Sequence, residues 1–348
     1  MSRPSALALF SGGLDSILAT RLVMDQGIEV TAVKFVTPFF HYEILGDIAA
    51  FQAKVMAQYG IKVVVEDISP GYLEMMRQPA HGFGRNFNPC IDCKILMVRR
   101  AREMLAEIGA SFLISGEVLG QRPMSQRRDT LSVIERDSGS RSLLLRPLSA
   151  KHLNPTLAEL EGWVDRQRLL DLSGRGRSRQ IALAKSFGLS DFPSPAGGCI
   201  LADPILGRRI RLIYADKLNL TAAMMTVADF RLLLLGRQFR LPGGGWLILG
   251  RDEAENDRIH AMAEAGDALL HMEVRSGPAA LLRRAGQSYR CETDLDADLA
   301  VAASLVVRYG KKKVSGPQTG EVLCWYQDGC RTLVADPPLD DGYMAWML

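Results

Sequence analysis

Two groups of side chains in this chain have the types and spacing to do chemistry. The first is Ser11-Gly12-Gly13-Leu14-Asp15-Ser16. Glycines at such a turn let the backbone close on a bulky anion, and a helix that starts there offers unpaired N–H groups and a favourable dipole. Ser11 and Ser16 add hydroxyl donors, and Asp15 is placed to hold Mg²⁺ beside phosphate groups. The GKS ending of a Walker loop and the GxGxxG spacing of a dinucleotide fingerprint are both missing. The second group is Cys90 and Cys93, a C-x-x-C in Asn88-Pro89-Cys90-Ile91-Asp92-Cys93, with Cys199 at the end of Pro193-Ser194-Pro195-Ala196-Gly197-Gly198. Three chemistries stay open for these thiols: half a zinc site or inert cysteines, a redox pair carrying a persulfide, and a [4Fe–4S] cluster held by three thiolates with one open iron. Cys291, Cys324 and Cys330 lack metal-type spacing with these three and read as structural or incidental.

The elements that must position these residues follow from periodicity. Ala6–Phe10 reads as a strand, Asp15–Asp25 as a helix, Val30–Val36 as a β-branched strand, Ile48–Tyr59 as a helix and Lys62–Asp67 as a buried strand. Cys93–Ile108 reads as a helix, then Phe112–Ser115 and Leu143–Arg146 as strands. Strands separated by helices predict an α/β fold, a parallel sheet with helices on both faces. The texture changes near Asp203. Phe239–Leu241 and Trp246–Leu249 predict a hairpin across Pro242-Gly243-Gly244-Gly245, with helices at Asp252–Ala265 and Leu295–Arg308. This predicts a smaller α+β domain over 218–348, after an α/β domain over 1–217.

Composition bounds the function. The 348 residues are 47% hydrophobic and 23% charged, which excludes a largely disordered chain and a disulfide-stapled miniprotein. No apolar run approaches the roughly 18 residues of a membrane span, and the short Ala6–Phe10 run is no secretory signal, so the expected location is cytoplasmic with no membrane partner. Basic and acidic residues number 42 and 39, yet the basic ones cluster: Arg122, Arg127 and Arg128; Arg175, Arg177 and Arg179; Arg208 and Arg209; Lys311 to Lys313. Such clusters near glycine and proline suit phosphate contacts.

The hexapeptide at the first strand–helix junction resembles the signature of the PP-loop ATP pyrophosphatases. That resemblance implies an adenine nucleotide alpha-hydrolase-like fold and cleavage of ATP between its α and β phosphates. With the C-x-x-C and the later lone cysteine, the chain resembles the tRNA-thiolating branch. Gly116-Glu117-Val118-Leu119-Gly120-Gln121 and Met124-Ser125-Gln126 look like the matching segment of tRNA 4-thiouridine synthases, and Leu145-Arg146-Pro147-Leu148 falls where that family leads a strand to its nucleotide site. The resemblance implies that Glu117, Gln121 and Gln126 line the ATP and target-base pocket, with Arg146 near it. Bacterial members carry a ferredoxin-like and THUMP region before the loop, whereas here the loop begins at residue 11, so another RNA-binding part is expected.

Asp229–Arg231, Gly236–Leu241, Gly250–Asn256 and Ala302–Lys313 loosely resemble the NFACT-type RNA-binding domain. Arg237, Arg240, Arg251 and the lysine run would contact phosphates, and Phe239 or Tyr309 would stack on a base. The expected function is an ATP-dependent tRNA uridine sulfurtransferase. Its cofactors would be ATP, Mg²⁺ and a [4Fe–4S] cluster at Cys90, Cys93 and Cys199, with zinc or a persulfide still open. Its partners would be tRNA and a sulfur donor, either a cysteine desulfurase or inorganic sulfide, and a homodimer is left open. The alternatives are a PP-loop enzyme adenylating a small molecule for amidation or sulfur incorporation, and a non-catalytic RNA-binding protein.

Overall fold

Ser5–Leu9 forms strand β1, which has strands on both sides and whose middle residues are buried because its faces are covered. It lies in a five-stranded sheet with β2 (Glu29–Val36), β3 (Lys62–Asp67), β4 (Phe112–Ser115) and β5 (Leu144–Leu145), in the order β3-β2-β1-β4-β5. Every pairing is parallel. The continuous apolar runs Ala6–Leu9 and Phe112–Ile114 suit strands covered on both faces. The computed structural model describes residues 4–189, 191–194, 198–215 and 224–348. Helices α1 (Leu14–Met24), α2 (Ile48–Tyr59), α3 (Ser69–Arg77), α4 (Cys90–Ile108) and α5 (Arg128–Ser138) flank this sheet. The core joins Ala6, Ala8, Ile17, Leu18, Phe112 and Ile114. Ile17 and Leu18 are fully buried, each worth about 1.5–3 kcal/mol, so the helix that opens the phosphate loop is anchored one turn after it.

Two boundaries differ from the sequence reading in ways that matter for the site. The Cys93 N–H donates to the Pro89 carbonyl at 2.8 Å, which starts α4 at Cys90 and puts both cysteines in its first turn. The strand expected over Leu143–Arg146 keeps only Leu144 and Leu145, because Arg146 leaves the sheet to pair with two carboxylates.

The chain divides into two compact units, Met1–Ala202 and Asp203–Leu348. The boundary read at 217/218 lies outside the described residues. The second unit is built on a six-stranded antiparallel sheet, ordered β11-β10-β8-β9-β7-β6. Its strands are β6 (Arg237–Arg240), β7 (Trp246–Leu249), β8 (Ala268–Met272), β9 (Ala280–Arg283), β10 (Gly320–Tyr326) and β11 (Gly329–Ala335). The helix Glu292–Tyr309 packs Leu299, Ala302, Ala303 and Val306 against Phe239, Leu270, Leu282 and Val322. The predicted hairpin is present as β6 and β7. Its glycine turn is held by Asp298, whose carboxylate accepts the Gly243 and Gly245 N–H groups at 2.9 and 3.2 Å. No helix among the described residues is long and apolar enough to cross a membrane.

Candidate active site

The strand order reverses at β1, with β2 and β3 on one side and β4 and β5 on the other. The crevice beyond the C-terminal ends of β1 and β4 is therefore the topological switch point, where open α/β sheets take their ligands. Register places Leu9 beside Ser115, so the Ser11–Ser16 loop and the Gly116–Gln126 segment leave the sheet together. They are packed tightly: a Cβ on Gly116 would lie 2.6 Å from backbone atoms of Asp15 and Ser16, so only glycine fits.

Within the loop Gly12 takes φ +85°, a conformation that side chains resist. The Ser11 hydroxyl accepts the Gly13 N–H at 3.2 Å and donates to Ser16 Oγ at 3.1 Å, while Ser16 Oγ donates to the Gly13 carbonyl at 2.8 Å. Asp15 stands in the first turn of α1. Its Oδ2 accepts from Gln121 Nε2 at 2.7 Å and from Arg177 at 3.5 Å, while its Oδ1 is buried with no hydrogen-bond partner among the described residues. An unmet carboxylate oxygen at a helix start fits a cation bound beside phosphates.

Lys34, near the end of β2, reaches the same loop, and its ammonium donates to the Ser11 carbonyl at 2.6 Å. Burial pushes its pKa down to about 8, against the opposing pull of Glu43. The sequence reading had passed over Lys34 and had taken Arg177 only as one of a basic cluster. A lone charge inside the apolar run of β2 was the available signal for the first.

The segment after β4 carries the other polar candidates. Glu117 is buried and accepts from Arg146 Nε at 3.0 Å, with Lys94 3.8 Å from its Oε1. Burial pushes the Glu117 carboxyl up, but Arg146 and Lys94 outweigh it and hold it below the usual glutamate range. Arg146 is itself buried between Glu117 and Glu135, so it anchors Glu117 to α5. Gln126 is also buried, and its side-chain oxygen accepts the Arg122 N–H at 3.1 Å, which closes the turn carrying Gln121. Thus Gln121 reaches the phosphate loop directly, whereas Gln126 and Arg146 shape the segment behind it.

Asn86 ties the Cys199 segment to the chain just before Cys90 and Cys93. Its amide, from the loop before α4, donates to the Ala202 carbonyl at 2.6 Å, and the Ala202 N–H donates to the Cys199 carbonyl at 2.9 Å. Cys90, Cys93 and Cys199 are all free and half-buried. Tyr72 on α3 is fully buried and donates its hydroxyl to Cys93 Sγ at 3.6 Å. Burial pushes the Cys93 thiol up to about 11, partly offset by the Tyr72 hydrogen bond and by Lys94, while charge on Cys90 or Cys199 pushes it up further. Cys199 is raised chiefly by burial and lowered in part by Arg122. Pro195, Ala196 and Gly197 lie outside the described residues.

The segment Gly116–Gln126 is therefore the hinge of the site. Gln121 joins it to Asp15, and Glu117 joins it to Lys94, the residue after Cys93 on α4. A cavity of about 450 Å³ between α5 and residues 150–159 is lined by Arg146 and Glu135 but by none of the loop or thiol residues.

In the second unit, one sequence expectation is overturned. Phe239 is fully buried and cannot stack on a base; its ring belongs to the core under the helix Glu292–Tyr309. Tyr309 packs over the Arg237 guanidinium, 4.5 Å from its ring centroid, and Arg251 pairs with Glu255. The exposed aromatic there is Trp325, stacked on His271 at 4.4 Å.

Residues 2–154 match the family model of the thiamine biosynthesis protein ThiI. Residues 236–332 match the model of the NFACT protein RNA binding domain. The chain is 30% identical over 133 residues to a probable tRNA sulfurtransferase of Thermococcus kodakarensis, covering 38% of this chain and 34% of that protein. It is 34% identical over 118 residues to a probable tRNA sulfurtransferase of a Thermoanaerobacter species, covering 33% and 30%. The chain thus spans about a third of the length of the curated relatives it matches. A solved 4-thiouridine synthetase–RNA complex with bound ATP is similar at 19% identity, over 61% of this chain and 51% of that one, with a TM-score of 0.39.

Proposed function

We propose that this protein is an ATP-dependent tRNA uridine sulfurtransferase acting in the cytoplasm. One observation carries the reading: a single segment, Gly116–Gln126, reaches a phosphate loop through Gln121 and, through Glu117, pairs with Lys94, the neighbour of Cys93 on α4. An enzyme that activates a carbonyl and then replaces its oxygen with sulfur needs the phosphate loop and the thiols within reach of one bound base.

ATP would lie on the Ser11–Ser16 loop, its phosphates facing the Gly12 and Gly13 backbone and the start of α1. Asp15, with its unmet Oδ1, fits Mg²⁺. A uracil carbonyl oxygen bonds to the α-phosphorus as the bond to the bridging oxygen breaks. The electron pair leaves on pyrophosphate, and the ring N–H proton passes to solvent. Sulfur at the sulfide level then bonds to the activated carbon, and AMP departs with the former carbonyl oxygen and its electron pair. Excluding water from the crevice protects the adenylate between the steps.

The sulfur would be presented at Cys90, Cys93 and Cys199, from a cysteine desulfurase or inorganic sulfide. Among the described residues no three His, Cys, Asp or Glu side chains are already arranged around a single metal ion, so zinc and a cluster alike would need the thiols to close in, and zinc would also need a fourth ligand. Three neighbouring thiols without a fourth ligand suit a [4Fe–4S] cluster, which when bound would supply an open iron for sulfide. If a persulfide is used instead, a second cysteine must release the thiolated product as a disulfide forms, and an external thiol must then reduce it. The second unit would hold the tRNA.

The test is thiolation of tRNA by the purified protein with ATP, Mg²⁺ and sulfide, read by mass spectrometry of the digested nucleosides alongside pyrophosphate release. Formation of one thiouridine, with Cys199→Ala stopping sulfur insertion but not pyrophosphate release, supports the reading. Pyrophosphate release that needs no RNA would move the assignment to a small-molecule adenylating enzyme. RNA binding with no ATP cleavage would leave only an RNA-binding protein.

A further inference from the structure

Lys34 sits in β2 between Val33 and Phe35, both buried, and is itself only 3% exposed. Burying an ammonium without a paired anion is costly, and proteins that do so usually place the charge where a ligand or a carboxylate completes it. Among the described residues no carboxylate forms an ion pair with Lys34. Glu43, the acid that acts on it, does so only at longer range, and His41 is the other titratable group facing it. Its register neighbour on β3 is Val65, and the β1 residue beside the preceding Val33 is Leu9.

The amine is aimed at the phosphate loop. It donates to the Ser11 carbonyl at 2.6 Å, which uses one of its three N–H groups. The missing side chain of Gly12 leaves a space beside it: a Cβ there would lie 3.8 Å from Lys34 Nζ and 4.0 Å from the Phe10 ring. A buried cation, a glycine without a side chain and the start of α1 thus converge where the preceding reading puts the phosphates of ATP.

We infer that Lys34 is a phosphate-binding residue of this site, its ammonium holding the β- and γ-phosphates that leave as pyrophosphate. The inference rests on the ATP-cleaving reading. As the bond to the α-phosphorus breaks, the electron pair stays on the departing pyrophosphate, and Lys34 offsets that charge from within the fold, where it counts for most. The low pKa of about 8 in the unliganded protein supports this role, since bound polyphosphate would restore the proton.

The experiment compares wild type, Lys34→Met and Lys34→Arg by calorimetric titration with ATP and Mg²⁺ in the absence of RNA, near pH 8.5, in two buffers of different ionisation enthalpy. Methionine keeps the unbranched stem and removes a buried charge, so the fold is retained. The expected result is about tenfold to a hundredfold weaker ATP binding in Lys34→Met, with partial recovery in Lys34→Arg. Proton uptake on ATP binding should occur in wild type and be absent in the methionine variant. Equal ATP affinity and equal proton uptake in wild type and Lys34→Met would overturn the inference alone. A wild type that binds no ATP would overturn the ATP-cleaving reading, and this inference with it.

Discussion

The side-chain amide of Gln121 donates to Asp15 Oδ2 at 2.7 Å, across 106 positions of sequence. This bond ties the segment after β4 to the first turn of α1 and occupies Oδ2, while the buried Oδ1 has no hydrogen-bond partner among the described residues. Asp15→Asn keeps an acceptor for Gln121 but loses the charge. Pyrophosphate release should fall by at least about 10²-fold, with the thermal midpoint nearly unchanged. A coupled pyrophosphate assay and a melting curve check the two halves of this expectation.

Gly116→Ala acts on the same junction through space. The added Cβ would meet backbone atoms of Asp15 and Ser16 at 2.6 Å, and backbone at a loop–helix junction cannot step aside as a side chain would. Overpacking of this kind costs about 1–3 kcal/mol. The variant should unfold at lower urea and lose ATP affinity together. Loss of neither would mean that the two loops part freely.

The thiol corner makes a pH prediction. Burial holds the Cys93 thiol up at about 11, and the Tyr72 hydroxyl opposes that rise by donating to the sulfur. Alkylation of Cys93 should therefore accelerate from pH 8 toward 11 as thiolate appears. Tyr72→Phe removes the donor, raises the pKa further and should slow alkylation at pH 9 roughly threefold to tenfold. Peptide-level mass spectrometry of iodoacetamide-labelled protein distinguishes Cys93 from Cys90 and Cys199.

The first unit was largely legible because its strands are continuous apolar runs and its helices are long. The loop hexapeptide could be read because its chemistry is local. What made Cys199 part of the site was not: the link runs through Asn86 and Ala202, two residues with no chemical signature of their own. The family resemblance puts Gln126 in the pocket and Arg146 near it. Their burial against Arg122 and the two glutamates shows in three dimensions only. In the second unit β8 to β11 were missed. β9 is fully buried and too short for alternation to show. The turn between β10 and β11 is the two-residue loop Gln327-Asp328, with Gln327 at φ +52°, and Asp328-Gly329 at its end was the available signal.

Buried charge gives the second unit its own stability test. Arg283 is fully buried and pairs with Asp229, Asp267 and Glu264, while Asp229 also holds Arg284. Asp229→Ala removes one partner from each arginine and leaves Arg283 short of charge where no water reaches it. The expected loss is about 3–5 kcal/mol, visible as a lower urea midpoint. Exchange of the exposed Asp296, which pairs with Arg331 at the surface, should cost no more than about 1 kcal/mol.

The RNA grip proposed for the second unit separates into charge and stacking. Lys311, Lys312 and Lys313 are exposed just beyond the helix Glu292–Tyr309, and no carboxylate among the described residues pairs with them. If all three contact phosphates, replacing them with alanine should weaken tRNA binding at every sequence. It should also flatten the slope of log affinity against log salt by about 2 to 3. Trp325 offers the other kind of contact: it is 36% exposed and already stacked on His271, whereas Phe239 has no free face. Trp325→Ala should therefore cost about 1–3 kcal/mol of affinity with the salt slope unchanged. Filter binding across a salt series reads both variants together. A lysine variant with wild-type slope would place the tRNA contact on another face, and a tryptophan variant that changes only the slope would exclude stacking.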